Sequence, residues 1–357
     1  MLPLEPARRI VVGWDVGGAH VKGCLVEDGV LRDVVQWPCP LWQGLQHLDA
    51  ALAQARTRWP QGWDGDARHV ATMTGEMVDL FPHREDGVRH LAARLAERLG
   101  PSLLLYASRR GWVAPHQAGL HWADVASANW RASAQWLARG RRDALLVDIG
   151  STTTDVVPVR DGRVVAVGAN DGDRLAGSEL VYQGVVRTPL CALGQRVPFG
   201  GREVQVMNEF FAATADVYRL TRELDVAHDQ QPAADNAAKD DAATRQRLAR
   251  MIGRDARDAG DAAWFALAYV WRERQVQEIA AALGRVIGAS GLPANAPLVA
   301  AGCGAFLATD LAARLERRCM SFVQAVHTGP PVEAALARWV DVCAPAVAVA
   351  MLAARGG

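Results

Sequence analysis

The chain has 357 residues, half of them hydrophobic and 22% charged, with 39 lysines and arginines balanced by 39 aspartates and glutamates. That length points to two domains or one large two-lobed unit. The zero net charge excludes a global field that would draw nucleic acid or an anionic membrane, so the expected partner is small, and a homo-oligomer is compatible with this.

Six scattered cysteines form no C-x-x-C pair and no Cys/His cluster at metal-ligand spacing, and read as reduced thiols. Met1 to Arg9 lacks the apolar run of a signal peptide, and no stretch is apolar for long enough to span a bilayer, so the expected location is the cytoplasm.

The first element is the apolar run from Arg9 to Trp14, ending in Asp15 and then Gly17-Gly18, which predicts a buried strand entering a tight turn. Ala19 to Glu27 and Val30 to Trp37 flank Asp28-Gly29, a hairpin signal, and complete a three-stranded meander. A helix over Gly44 to Arg58, a strand over His69 to Met73, a helix over Val88 to Leu99 and a strand over Leu103 to Tyr106 follow. The run from Ala144 to Asp155 opens a second meander that continues through Val156 to Arg160, Asp161-Gly162 and Val164 to Gly168. Later helices are expected over Asn208 to Leu224, Ala263 to Ile287, Ala305 to Arg317, Val332 to Val340 and Pro345 to Ala354. Strands are expected at Leu298 to Ala301 and Ser321 to Val323. Residues 227–244, poor in large apolar groups, read as a mobile insertion. Alternating strands and helices imply an α/β fold, with an N-terminal lobe over 1–143 and a C-terminal lobe over 144–357.

The two meanders align without a gap at an offset of 133. Asp15 maps to Asp148, Gly17 to Gly150, Lys22 to Asp155, Asp28 to Asp161 and Gly29 to Gly162. This is the mark of a duplication. An Asp-x-Gly turn at a strand end suits phosphate binding, because glycines admit backbone N–H groups to the oxygens and the carboxylate can hold magnesium. Ser151, Thr152 and Thr153 add hydroxyls, and Lys22, one of only two lysines, adds a point charge. Asp15, Asp148 and Asp155 are the metal candidates, with turn capping as the alternative. Gly302 and Gly304 form a late Gly-x-Gly turn before a helix, a place for an anion or nucleotide. Glu209 and Asp216, seven apart on the expected helix, would share a face.

Two phosphate-type hairpins followed by a glycine turn resemble the acetate and sugar kinase, heat-shock chaperone and actin superfamily. The resemblance implies an actin-like (ribonuclease H-like) duplicated two-lobed α/β fold with a ligand cleft between the lobes. The segments 148–155, 72–76 and 126–130, with Arg187 to Pro189, are most similar to the hydantoinase/oxoprolinase group. Within it they resemble a branch linked to tetrahydromethanopterin-dependent one-carbon metabolism and methanofuran biosynthesis.

That branch implies a transferase that condenses an aminomethyl-furan-methyl diphosphate with the phenol of a γ-glutamyltyramine-like substrate and releases diphosphate. It implies Lys22, Glu76 and Asp155 as catalytic, with Glu76 as base. Gly17, Gly18, His20, Thr74, Gly75, Asn129, the 150–153 turn and the Gly302/Gly304 turn would contact substrate. Magnesium or a similar divalent ion would sit on the three aspartates. The first turn reads Gly-Gly-Ala-His-Val-Lys where a hydantoinase carries Gly-Gly-Thr and a later Asp, so ATP is compatible with this reading but not required by it. An ATP-dependent kinase or ring hydrolase, with Cys303 in the adenosine turn, and a regulatory nucleotide-binding protein stay open.

Overall fold

The computed structural model describes residues 9–326 and 332–356. The leading segment read above as lacking a signal sequence lies, up to Arg8, outside the described residues. The chain divides into two compact units. The first takes the described residues up to Arg142, Asp161–Val164 and the chain from Phe322 onward, and the second takes Asp143–Arg160 and Val165–Ser321.

The first unit opens with the antiparallel meander β1 (Ile10–Val16), β2 (His20–Glu27) and β3 (Val30–Pro38). α1 (Gln46–Arg58), β4 (Arg68–Met73), α2 (Arg84–Leu99), β5 (Leu104–Tyr106), β6 (Trp112–Val113), α3 (Trp122–Val125) and α4 (Asn129–Gly140) follow. β4 lies parallel to β1, and β5 parallel to β4, in the order β3-β2-β1-β4-β5-β6. Trp14 centres the core, its ring 6.1 Å from those of Trp59, Trp63 and His69.

The chain then forms β7 (Ala144–Ile149), β8 (Thr154–Arg160), β9 (Arg163–Val164), α5 (Asp171–Ala176) and β10 (Leu180–Val181). A small hairpin of β11 (Arg196–Phe199) and β12 (Arg202–Gln205) precedes α6 (Thr214–Leu220), α7 (Asp241–Arg250) and α8 (Asp261–Ser290). β13 (Leu298–Ala301), α9 (Ala308–Arg314) and β14 (Cys319–Ser321) complete the second unit. Its sheet runs β10-β8-β7-β13-β14, with β13 parallel to β7 and β14. An antiparallel hairpin continued by parallel strands is thus present in both units, as the actin-like duplication requires. Fully buried Trp264 and Trp271 on α8 pack with Leu145, Val147 and Ile149 of β7.

The last segments, α10 (Phe322–Val326), α11 (Ala334–Val342) and α12 (Ala344–Ala354), belong to the first unit, whereas the sequence reading assigned all of 144–357 to the second lobe. The reason lies in α12, which is apolar on every face and so is buried on every face. It packs so closely on β1 that a Cβ at Gly13 would lie 2.3 Å from the Ala346 carbonyl oxygen. Among the described residues no single helix is long and apolar enough to cross a membrane.

Three further expectations are corrected. The helix over 208–224 is confined to Thr214–Leu220, because the backbone before it bonds elsewhere: Met207 N–H to Met251 O, Leu190 N–H to Ala212 O, and Thr214 N–H to Thr188 O. Glu209 is therefore exposed and off the helix, while buried Asp216 accepts from Ala213 N–H and pairs with Arg219 and Arg247, each at 2.7 Å. The strand expected at Ser321 to Val323 ends at Ser321 and gives way to α10. Residues 227–244, expected as a mobile insertion, are tied down by Asp229 pairing with Arg219 (2.6 Å) and Lys239 (3.0 Å), and by Asp235 pairing with Arg247 (3.1 Å).

Candidate functional site

The duplication read from residue spacing is repeated in the hydrogen bonds. In β1 and β2, Asp15 faces Lys22, and Gly17 N–H donates to His20 O at 2.9 Å. In β7 and β8, Asp148 faces Asp155, and Gly150 N–H donates to Thr153 O at 2.8 Å. The carbonyl just before each turn glycine accepts from the next parallel segment: Val16 O from Thr74 N–H at 2.9 Å, and Ile149 O from Gly304 N–H at 2.8 Å. Both Asp-Gly hairpin turns adopt positive φ, 52° and 76° at Asp28 and Gly29, 51° and 70° at Asp161 and Gly162. This is the turn that the right-handed strand twist favours.

The second unit gathers nearly all of its expected residues at the carboxyl ends of β7 and β13. Asp148 is buried, whereas Gly150, Ser151, Thr152 and Thr153 are half-exposed. The N–H groups of Ser151 and Thr152 bond to nothing within the described residues. The Ser151 and Thr152 hydroxyls lie 3.4 Å apart, and together with the two open amides they make a receptive edge for anionic oxygen. Gly302, at φ 84°, packs against it so tightly that a Cβ would lie 2.5 Å from Asp148 Oδ1 and 2.2 Å from Ile149 O. Gly304 meets the Ile149 side chain in the same way, with 2.4 Å to Cγ2.

Several residues that hold this turn escaped the sequence reading. Asp155 is paired at 2.7 Å with Arg174 Nη1, a guanidinium only 1% exposed, whose Nη2 donates to Glu179 O at 2.8 Å. Glu179 in turn accepts from Val167 N–H and Gly168 N–H at 2.7 and 3.0 Å. Gly184 lies directly behind the turn, where a Cβ would be 2.4 Å from Ser151 C and Thr152 N. Its N–H donates to Thr188 Oγ1 (2.8 Å), and its carbonyl accepts from Thr214 Oγ1 and Gln275 Nε2, both at 2.9 Å. The signal for Arg174 was the replacement of Lys22 by an acid at Asp155, which calls for a cation from elsewhere.

The first unit joins its own motifs. Lys22 Nζ lies 3.8 Å from Asp15 Oδ2, and Gly17 and Gly75 pack together, a Cβ at Gly75 lying 3.4 Å from Gly17 O. Ala126 bridges to Met73, which brings the 126–130 stretch beside Thr74, Gly75 and Glu76. His20 is buried and Asn129 is half-exposed in the first turn of α4. Glu76, expected as base, is enclosed. Its side chain is 0% exposed, and Oε1 accepts from Arg84 Nη2 at 3.0 Å and Ser127 Oγ at 2.9 Å. Burial raises its carboxyl above the usual range against the lowering effect of Arg84. Oε1 thus ties the 74–76 and 126–130 segments together, while Oε2 is buried and accepts no hydrogen bond from the described residues.

Among the described residues no group of three or more His, Cys, Asp or Glu side chains is gathered as a metal cage. The second turn nonetheless suits magnesium. This ion is commonly held by one or two carboxylates together with waters and substrate phosphates, and Asp148 beside the open oxygen donors of Ser151 and Thr152 is a donor set of that kind.

A relative in Methanocaldococcus jannaschii, a (4-{4-[2-(γ-L-glutamylamino)ethyl]phenoxymethyl}furan-2-yl)methanamine synthase, is 28% identical over 248 residues, 69% of this chain and 72% of that protein. The synthase of the same name in Methanococcus vannielii is 42% identical over 76 residues, 21% of this chain and 34% of that protein. A nucleotide-free acetone carboxylase shares the fold, with a TM-score of 0.58 at 12% identity over 96% of this chain and 70% of its own. The profile of the hydantoinase/oxoprolinase family matches residues 68–340, a span that takes in the 72–76 and 126–130 segments, the Asp148 turn and the Gly302/Gly304 turn. With its motifs seated on a duplicated hairpin frame and most of its length matched, the chain belongs to the hydantoinase/oxoprolinase family.

Proposed function

We propose that the chain is a transferase of methanofuran-like cofactor biosynthesis. It joins the phenol of a γ-glutamyltyramine-like substrate to a furan-methyl diphosphate and releases diphosphate. The observation that carries the reading is the Gly150–Thr153 turn, whose open amides and hydroxyls beside Asp148 suit a diphosphate. The name of the Methanocaldococcus jannaschii relative supplies the chemistry, since a phenoxymethyl-furan is an ether between a phenol and a furan methylene.

On this reading the phenol oxygen attacks the exocyclic methylene, and the carbon–oxygen bond to diphosphate breaks with its electron pair leaving on diphosphate. The phenolic proton passes to a diphosphate oxygen, so the reaction needs no carboxylate base at Glu76. The furan ring oxygen delocalises positive charge at the methylene, which leaves stabilisation of the departing anion as the main task of the protein. The turn amides and hydroxyls meet that charge, and Asp148 is the proposed carboxylate for magnesium. When bound, the ion neutralises diphosphate charge. The Gly302/Gly304 turn seated on Ile149 favours ATP as a second reading.

Pure protein incubated with magnesium, the furan diphosphate and the phenol should release diphosphate, and with ATP alone should release no phosphate. Phosphate release from ATP, with none from the furan diphosphate, selects the second reading. Asp148→Ala should abolish metal-dependent diphosphate binding in calorimetry with the fold intact. Unchanged affinity would assign Asp148 to turn structure.

A further inference from the structure

Behind the Ser151–Thr153 turn the second unit holds a polar recess of about 460 Å3, within the size range of small-ligand sites. Its polar walls are Gln183, Arg274, Gln277 and Glu278, above an apolar floor at Leu193. Gln183 joins the recess to the turn: its carbonyl accepts from Thr154 Oγ1 at 2.8 Å, and the next residue, Gly184, backs Ser151 and Thr152.

The charges in the recess are arranged unusually. Arg274 and Glu278 stand one helical turn apart on α8, a spacing at which opposite charges ordinarily meet. They form no ion pair with each other, and neither side chain has a hydrogen bond or ion pair to any described residue. Arg274 is instead directed over Gly194, at φ 140°, where a Cβ would lie 2.1 Å from Arg274 Nη1 and would push the guanidinium from this position. Gln183 adds a buried Oε1 that accepts no hydrogen bond. Such an acceptor is costly to leave unmatched, and a ligand N–H satisfies it.

A half-buried cation, a separate carboxylate and the Gln183 carboxamide complement one ligand chemistry, a zwitterionic amino-acid headgroup. We propose that the recess binds the α-carboxylate of such a headgroup at Arg274 and its α-ammonium at Glu278, with Gln183 taking an N–H. Resting on the function proposed above, this makes it the subsite for the glutamyl end of the phenol substrate, next to the turn that holds the leaving diphosphate.

Two measurements separate the subsite from that function. γ-L-Glutamylethylamide, which lacks the phenol, is titrated by NMR into wild type, Arg274→Gln and Gly194→Ala. Wild type should bind it, and each variant should weaken binding roughly tenfold or more, as expected for a lost charge-assisted contact. In turnover, Arg274→Gln should raise KM for γ-L-glutamyltyramine by a similar factor while KM for the furan diphosphate is unchanged. Tyramine itself should be a poor substrate for both proteins to the same extent. If wild type does not bind γ-L-glutamylethylamide, or Arg274→Gln binds and turns over like wild type, the subsite is overturned. Arg274-dependent binding without any diphosphate release keeps the subsite and removes the ether synthase.

Discussion

The two hairpins at Asp15 and Asp148 share a backbone and differ in charge. In the first, Asp15 faces Lys22 across the ladder, a pair neutral within the hairpin. In the second, Asp148 faces Asp155, two carboxylates on neighbouring strands whose repulsion opposes pairing. The second unit restores the balance by bringing Arg174 from α5 onto Asp155. The turns diverge in the same sense. Ala19 and His20 are buried, whereas Ser151, Thr152 and Thr153 are open. Main-chain hydrogen bonds thus preserve the frame through duplication, while side chains make one copy self-contained and the other receptive to an anion.

The strongest way to break this comparison is to remove the imported cation. Arg174→Met removes the buried guanidinium from Asp155, which should cost on the order of 3–5 kcal/mol in denaturant unfolding. Adding Asp155→Asn should recover much of that loss. Lys22→Met, removing a partner that stands 3.8 Å from Asp15, should cost clearly less. Equal losses for Arg174→Met and Lys22→Met would show that the two hairpins are balanced in the same way.

Next in size is the catalytic contrast at the same ladder position. If Lys22 meets an anionic oxygen of a substrate at its own turn, Lys22→Ala should lower turnover roughly a hundredfold, as for other preorganised electrostatic contacts. Lys22→Arg should restore only part of it, since a planar guanidinium fits a tight glycine turn poorly. Near-wild-type rates for Lys22→Ala would remove the residue from the site.

The frame was legible in the sequence because it rests on spacing. Paired Asp-x-Gly turns, Asp-Gly hairpins and β-branched runs fix strand ends, and the 133-residue offset equates Asp15 with Asp148 and Lys22 with Asp155. The braces were not legible. Arg174, Gly184 and Gln275 act through contacts across 19 to 91 residues of chain, and nothing local distinguishes Arg174 from the other arginines. The surroundings of Glu76 were hidden for a related reason: Ser127 and Arg84 close over it from segments 51 and 8 residues away.

A pH titration sharpens the contrast between the two cores. His69 occupies the position in β4 facing Val12 that Leu298 occupies in β13 facing Leu145. Its Nδ1 accepts from Trp14 Nε1 at 3.2 Å, and burial pulls its pKa down from 6.5 to about 4. Between those values the unfolded chain takes up a proton that the folded first unit refuses, so stability must fall as pH drops and level off below about 4. The loss should be about 2 kcal/mol between pH 6.5 and 5. His69→Leu, which gives the first unit the residue of the second, should remove this slope while lowering stability at neutral pH, because Trp14 N–H loses its acceptor. An unchanged slope in that variant would place the titration elsewhere.

The smallest expected effect tests the equivalence itself. Gly29 and Gly162 have φ of 76° and 70°, and each follows an aspartate already at positive φ. A Cβ on Gly29 meets nothing within 4 Å, and on Gly162 it meets only Ala138 O at 3.7 Å, ordinary contact. Alanine at either site therefore adds backbone strain and no collision, about 1 kcal/mol for an L-residue held in the left-handed region. If the turns are true copies, Gly29→Ala and Gly162→Ala should lower stability by the same amount, and asparagine, which tolerates that region better, should recover part of it at both. A much larger loss at Gly162 would mean that this turn carries a load the first does not, and the likeness of the hairpins would then stop short of their tips.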